Sequence, residues 1–184
     1  MEQTILAVDD EHHMLKLLER IIGEKTPYPI TTVANSLEVP KLLQSRGFDL
    51  IITDLKMPGL SGIDLLRQVK EQNRPEEVVI ITAFGSMESA LEALALGALD
   101  YIEKPFRKEQ LLLAVDRAML RQRRRRERRA RLAAYELEPY RRAEEAFCRE
   151  YVRALAVRCA GDEQALTERS GLSRERIREA LKEV

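Results

Sequence analysis

The sequence has little cysteine and no long apolar run, and each shortage excludes a class of protein. Cys148 and Cys159 are too few for a disulfide framework or a four-ligand cysteine site. The longest apolar stretches have about five residues, whereas a membrane-spanning helix needs about 20. The start, MEQTILAVDD, lacks the basic region and apolar core of a signal peptide. We therefore expect a cytoplasmic protein that does not enter a membrane.

The chain also lacks a net charge, but its charges are unevenly distributed. The 31 basic residues balance the 31 acidic ones, yet residues 1–120 have a net charge of −6 and residues 121–184 a net charge of +6. The positive excess is concentrated in 121–131, RQRRRRERRAR, with eight arginines and one glutamate. An acidic first part favours phosphate chemistry through a bound cation. The arginine run indicates contact with a polyanion or a solvated helical linker.

Short apolar segments alternate with amphipathic segments over the first 106 residues. The apolar segments predict strands: ILAVD (5–9), ITTVA (30–34), LIITD (50–54), VVIIT (78–82) and YIEK (101–104). The amphipathic segments predict helices near 12–24, 36–46, 62–72 and 86–97, and a fifth after Pro105. Five strand-then-helix units predict a doubly wound α/β fold, a parallel sheet with helices on both faces.

The rest of the chain predicts helices only. No glycine or proline interrupts residues 107–137, and Pro139 marks a break before a helix over 141–159. The apolar face of that second helix comprises Phe147, Cys148, Tyr151, Val152, Leu155 and Cys159.

Two shorter helices are predicted at the end of the chain. Gly161-Asp162 ends the 141–159 helix, and Gly171 gives a turn between two helices near 163–169 and 174–183. Ser173 is the candidate N-cap of the last helix. The apolar positions of the last helix are Ile177, Ala180, Leu181 and Val184. The predicted domains are thus 1–120, an arginine-rich helical linker at 121–140, and a small all-α domain at 141–184.

Polar side chains follow the predicted strands at one edge of the sheet. Asp9 and Asp10 close the first predicted strand, Asp54 the third, Thr82 the fourth and Lys104 the fifth. Ligands of open parallel sheets bind at the carboxyl ends of the strands. Three carboxylates there predict a site for Mg²⁺, which prefers oxygen ligands. A lysine and a hydroxyl opposite the metal suit a transferred phosphoryl group.

These residues, together with Met57-Pro58-Gly59, Thr82-Ala83 and Lys104-Pro105-Phe106, resemble the receiver domain of two-component response regulators. The resemblance covers about residues 1–120. The stretch TAFGSMESALEALALGALDYIEKPF (82–106) resembles receivers of the nitrogen-regulator class of transcriptional activators. It implies a flavodoxin-like fold with the strand order 2-1-3-4-5.

The resemblance also implies a role for each site residue. Asp54 is the phosphoacceptor, which takes its phosphoryl group from the phosphohistidine of a sensor histidine kinase. The ligands of Mg²⁺ are Asp9, Asp10, Asp54 and the backbone carbonyl of Lys56. Lys104 pairs with a phosphoryl oxygen. Thr82 and Tyr101 couple phosphorylation to a conformational switch. The family also implies no enzymatic activity beyond slow phosphorylation and dephosphorylation of the receiver itself.

Residues 141–184 resemble more faintly the Fis-type helix-turn-helix of the same class. Gly161-Asp162 and Gly171-Leu172-Ser173-Arg174 keep the frame, but Glu175 and Glu179 interrupt the usual basic helix. The candidate DNA-contacting residues are Arg174, Arg176, Arg178 and Lys182. No Gly-x-x-x-x-Gly-Lys-Ser/Thr motif occurs, so we expect no central ATPase domain.

Three functions remain open at this point. The first is a phosphorylation-dependent, homodimeric DNA-binding regulator of transcription. The second keeps the receiver but makes the tail a protein-interaction, RNA-contact or dimerisation element. The third, an aspartyl-phosphate hydrolase of the haloacid dehalogenase type, fits poorly, because such enzymes have Asp-x-Asp after the first strand and here Asp9 and Asp10 are adjacent.

Overall fold

The protein is described by a computed structural model over residues 3–136, 140–160 and 162–182. The strands are β1 (Ile5–Val8), β2 (Ile30–Val33), β3 (Leu50–Thr53), β4 (Glu77–Thr82) and β5 (Asp100–Glu103). The helices are α1 (His12–Lys25), α2 (Val39–Ser45, after a 3₁₀ turn at Ser36–Glu38), α3 (Gly62–Glu71), α4 (Met87–Ala95), α5 (Lys108–Glu136), α6 (Tyr140–Arg158), α7 (Glu163–Ser170) and α8 (Arg174–Leu181). Leu137, Pro139, Gly161 and Val184, used above to place helix ends and faces, lie outside the described residues.

The five strands form one parallel sheet in the order β2-β1-β3-β4-β5, which confirms the predicted fold class. β3 lies at its centre, between β1 and β4. The strand order reverses between β1 and β3, so a cleft opens there at the carboxyl edge. Asp9 and Asp54 directly follow these two strands and therefore border that cleft.

Alternate residues of the strands build two separate hydrophobic clusters, one on each face of the sheet. Ile5 and Ala7 of β1 pack with α1 and α5, whereas Leu6 and Val8 pack with α2 and α3. All four side chains are essentially inaccessible to solvent. Burial on both faces explains why the strands are nearly continuous apolar runs.

Two compact units divide the chain between Arg125 and Arg126. Packing therefore groups the first turns of the arginine run with the sheet. Gln122 is 3% exposed, and its Nε2 donates to the backbone carbonyls of Asp49 and Pro75. The burial of Gln122 was not expected from a run of charged residues. The predicted limits of the domains stay a prediction.

The second unit has a small core of its own. It consists of Val152 on α6, Leu166 on α7, and Ile177 and Ala180 on α8. Asp162 and Ser173 cap α7 and α8 by accepting backbone N–H bonds. Gly171, at a φ of 67°, ends α7 in the left-handed conformation that glycine adopts without strain.

The broad apolar face expected on α6 is divided between two environments. Val152 is fully buried in the unit's core, where Cys148, Leu155 and Cys159 also pack. Phe147 and Tyr151 point away from that core and stack with ring centroids 6.2 Å apart. Val152 is therefore not available to a partner chain, because α7 and α8 cover it.

No helix within the described ranges is long and apolar enough to span a membrane.

Candidate functional site

The centre of the candidate site is a lysine between two carboxylates. Lys104 Nζ donates to Asp9 Oδ2 at 2.8 Å and to Asp54 Oδ1 at 2.9 Å. Lys104 follows β5, and the peptide bond to Pro105 is cis. Glu11 Oε2 lies 3.8 Å from the same ammonium. Asp9, Asp54 and Lys104, which are distant in sequence, thus meet at the carboxyl edge of the sheet.

Backbone amides hold both carboxylates in place. Asp9 Oδ1 accepts from the N–H of Glu11 at 2.8 Å, and Asp54 Oδ2 accepts from the N–H of Lys56 at 2.7 Å. Asp9 and Asp54 are 2% and 6% exposed. The loops after β1 and β3 therefore orient two carboxylates that have little access to solvent.

The ammonium of Lys104 is stabilised in its charged form. Burial acts to lower the pKa of Lys104, but hydrogen bonds to Asp9 and Asp54, and their negative charges, outweigh it and raise the pKa above its ordinary value. The group therefore stays cationic at neutral pH.

The residues predicted to bind Mg²⁺ are only partly assembled. Asp9 and Asp54 share the lysine, whereas Asp10 is exposed. Within the described residues, no group of three or more His, Cys, Asp and Glu side chains is arranged to hold a metal ion. The donor chemistry nevertheless fits a hard cation, because two buried carboxylates converge there and each has further lone pairs to offer.

Gly62 is a site residue that the sequence reasoning missed. A Cβ at this first position of α3 would lie 2.2 Å from the backbone oxygen of Asp54. Gly62 N also donates to the carbonyl of Leu55 at 3.0 Å. α3 can therefore pack directly behind the candidate phosphoacceptor only if residue 62 has no side chain. The capping box formed by Ser61 and Asp64 marks this helix start in the sequence.

Thr82 and Tyr101 lie on adjacent strands but bond to different partners. Thr82 is fully buried, and its Oγ1 accepts from the N–H of Phe84 at 3.0 Å. The hydroxyl of Tyr101 lies 2.9 Å from the Oγ of Ser89 in α4. Ser89 also closes the capping box of that helix with Ser86. A hydroxyl at the third position of the helix is the sequence signal that could have identified Ser89.

The basic residues predicted to contact DNA are all exposed on α8 or immediately after it. Arg176 pairs with Glu144 of α6 at 3.1 Å, and Arg178 pairs with Glu163 of α7 at 2.9 Å. Arg174 and Lys182 lie at the two ends of the helix. The unit thus neutralises two of the four candidate cations with its own carboxylates.

Comparison with known proteins identifies the first unit. The model of the response regulator receiver domain matches residues 5–116, which is more than half of the chain. The chain belongs to the response regulator receiver family. The cleft with Asp9, Asp54 and Lys104 lies within the matched receiver.

Several curated relatives are similar to the receiver. DNA-binding transcriptional regulator NtrC of Escherichia coli is 34% identical over 115 residues, 62% of this chain and 24% of that protein. Response regulator protein PilR of Pseudomonas aeruginosa is 37% identical over 103 residues, 56% of this chain and 23% of that protein. The chain therefore matches only about a quarter of the length of these relatives.

Solved structures agree with the receiver fold. A response regulator receiver domain protein from Clostridium thermocellum superposes with a TM-score of 0.61 at 31% identity, over 66% of this chain and 97% of that one. NtrX from Brucella abortus gives a TM-score of 0.62 at 32% identity, over 69% of this chain and 29% of that one. Both likenesses cover about two thirds of the chain.

Proposed function

We propose that the receiver accepts a phosphoryl group on Asp54 from the phosphohistidine of a sensor histidine kinase and thereby controls the helical unit that follows. The observation that carries this proposal is the pair of short bonds from the Lys104 ammonium to Asp9 and Asp54. In a receiver, this arrangement places a cation where the transferred group would bring negative charge.

The proposed transfer is a nucleophilic displacement at phosphorus. A carboxylate oxygen of Asp54 forms the new P–O bond, while the P–N bond to the kinase histidine breaks and its electron pair leaves with the imidazole. Lys104 offsets the negative charge of the phosphoryl oxygens. The hydroxyl of Thr82, one strand away, donates to another of these oxygens. Burial of Asp54 limits the access of water to the acyl phosphate.

Mg²⁺ is proposed as the cofactor of this transfer. Asp9, Asp10, Asp54 and the carbonyl of Lys56 would hold it, and when bound it would neutralise phosphoryl charge. The hard oxygen donors in the cleft support this assignment.

Phosphorylation by acetyl phosphate tests the acceptor. The modified residue is mapped by mass spectrometry after borohydride reduction, with Mg²⁺ and with excess EDTA. We expect label on Asp54, its loss in Asp54→Asn, and its loss in EDTA. The control is Asp116→Asn, which changes an exposed aspartate on α5. This variant should be labelled on Asp54 to the same extent as the unmodified protein. Full labelling of Asp54→Asn would refute the assignment.

The proposed output is DNA binding by a homodimer, and so regulation of transcription. Three observations support it. First, α6, α7 and α8 share a small core, and Ser173 caps the N-terminus of α8. Second, Phe147 and Tyr151 remain exposed on α6, and third, the similar NtrC is named a DNA-binding regulator. Two-fold symmetry would place two copies of α8 about 34 Å apart, one turn of the double helix.

Mobility shifts with genomic fragments test this output, with and without acetyl phosphate. Replacing Arg174, Arg176 and Arg178 with glutamine should abolish sequence preference if α8 reads base edges. Replacing Phe147 and Tyr151 with serine should weaken both self-association in sedimentation and DNA binding. If the helical unit forms dimers but shows no preference for any DNA fragment, a protein-interaction role is favoured. The pairing of Arg176 with Glu144 also suits that role.

A further inference from the structure

The arginine run has two structurally different parts. At its start, Arg121 lies 3.8 Å from Glu77 and Arg125 donates to the carbonyl of Pro75 at 3.3 Å, beside the buried Gln122. At its end, Arg131 pairs with Glu150 of α6 at 2.9 Å. These contacts fix the ends of the run and have structural roles.

Other arginines of the run lack such roles. Four of them are exposed and have no hydrogen-bond or ion-pair partner among the described residues: Arg123, Arg124, Arg128 and Arg129. Arg124 and Arg128 are four residues apart and share a helix face, where like charges repel. Arg125 and Arg129 repel in the same way. The segment nevertheless lies within one continuous helix, α5. A multivalent anion would relieve this repulsion.

We infer that Arg123, Arg124, Arg128 and Arg129 bind the phosphate backbone of double-stranded DNA. The inference rests on the proposed DNA binding and assigns its sequence-independent part to α5, with α8 as the reader. Guanidinium groups bind phosphate oxygens with two N–H donors at once. The part of the chain after the run needs such a contribution, because residues 132–184 have 10 basic and 11 acidic residues, a net charge of −1.

The composition of the run favours nucleic acid over a membrane surface. A helix that lies on a lipid bilayer buries an apolar face in it. Within 121–131, Ala130 is the single apolar residue, and every residue except Gln122 is exposed. The run therefore offers charge around the helix without an apolar face to insert.

The test uses the full-length protein and duplex DNA of random sequence, with salt titrated from low to physiological concentration. In the test variant, four arginines become glutamine, which keeps helix propensity: Arg123, Arg124, Arg128 and Arg129. We expect at least about tenfold weaker binding. The slope of log K against log salt should be shallower by about 3.6, because each phosphate that one of the four arginines neutralises contributes about 0.9 to that slope.

A control variant loses the same charge elsewhere. Four exposed basic residues of the receiver become glutamine: Lys16, Arg20, Lys25 and Lys41. Its salt slope should stay close to that of the unmodified protein. Circular dichroism checks that both variants keep their helical content. Equal slopes for the two variants would overturn the inference, because net charge alone would then account for binding.

Two further arms separate this inference from the proposed function. One outcome is that the variant at Arg174, Arg176 and Arg178 loses sequence preference, while the variant of the arginine run keeps the full salt slope. In that case α8 reads DNA and the inference is wrong. The opposite outcome is that the variant of the arginine run has a shallower salt slope, while the α8 variant keeps its sequence preference. In that case α5 binds phosphates, and the proposal that α8 reads base edges is wrong. Tighter binding to duplex RNA or to vesicles with 30% phosphatidylserine, a composition chosen as roughly typical of anionic leaflets, would also overturn the inference.

Discussion

Lys104 lies between two carboxylates that are almost removed from water. Its side chain is 10% exposed, and those of Asp9 and Asp54 are 3% and 6% exposed. Each partner depends on the others, because an unpaired charge in such a site costs far more than a paired one. The residue that neutralises the site in the free protein is also the residue proposed to neutralise the phosphoryl group.

Lys104→Met should lower the free energy of unfolding by about 3 kcal/mol, because it leaves two buried carboxylates without their cation. Urea denaturation without divalent ions measures the loss. Adding Mg²⁺ should restore part of it if Asp9 and Asp54 hold the metal. Lys108→Met, at a lysine that is 58% exposed, should change stability by less than about 1 kcal/mol. Equal effects of the two substitutions would contradict the burial argument.

Gly62→Ala should destabilise the receiver by about 1–3 kcal/mol, because the added methyl group collides with the backbone oxygen of Asp54. The forced shift should also slow phosphorylation of Asp54 by acetyl phosphate. Gly23→Ala is the matched control, since no atom lies within 4 Å of the added carbon. That change within α1 should stabilise the protein by up to about 1 kcal/mol. Urea denaturation measures the free energy of unfolding of both variants, and labelling by acetyl phosphate measures how fast Asp54 is phosphorylated in each.

At the scale of elements, the first turn of α4 connects the strand edge to a helix. Ser86 and Ser89 satisfy the orphan N–H groups of the helix, and Tyr101 of β5 bonds to Ser89. Phe84, Met87, Leu91 and Leu94, on or just before α4, are more than half exposed. An element with little buried area opens easily, so a single hydroxyl contact has more influence here than in the core.

Tyr101→Phe and Ser89→Ala should each speed amide exchange in the first turn of α4, by about fivefold for a bond worth about 1 kcal/mol. Ser89→Ala should have the larger effect, because it removes a cap as well as the tyrosine contact. The double variant should equal Ser89→Ala alone, since both changes remove the same bond. Additive effects would show that Tyr101 acts on α4 by another route.

On the scale of the whole molecule, the two units have cores of very different size. Two extensive clusters cover the faces of the sheet, whereas the second unit buries Val152, Leu166, Ile177 and Ala180. A domain this small is marginal unless a metal, a disulfide or a second chain adds to its stability. The proposed dimer would supply that additional buried area.

Leu166→Ala should unfold the second unit and leave the receiver folded, because a loss of about 2–5 kcal/mol exceeds what so small a core can spare. Scanning calorimetry of the full chain should show the weaker transition lost and the stronger one unchanged. Leu181→Ala, at a side chain that is 39% exposed, should shift the weaker transition only slightly. A uniform shift of one common transition would show that the units unfold together.

The amino-acid sequence by itself determined the receiver fold and the composition of its site. Runs of Val, Ile and Leu are long enough only for strands buried on both faces, and they alternate with helical periodicity, so a parallel sheet follows. Asp9, Asp54 and Lys104 could be assigned to the site because residues that follow parallel strands share one sheet edge. This argument needs no knowledge of distances.

Only the tertiary structure decided which contacts those residues make. Lys104 and Asp9 are 95 positions apart, and the side chains that meet in a cleft depend on crossovers that a local pattern does not encode. The same holds for Gly62 behind Asp54 and for Gln122, which bonds to the carbonyls of residues just before β3 and β4. Periodicity placed Val152 and Phe147 on one broad face of α6, but the packing of α7 and α8 buried the first and left the second exposed, because helical spacing fixes a direction and not the neighbour that lies there.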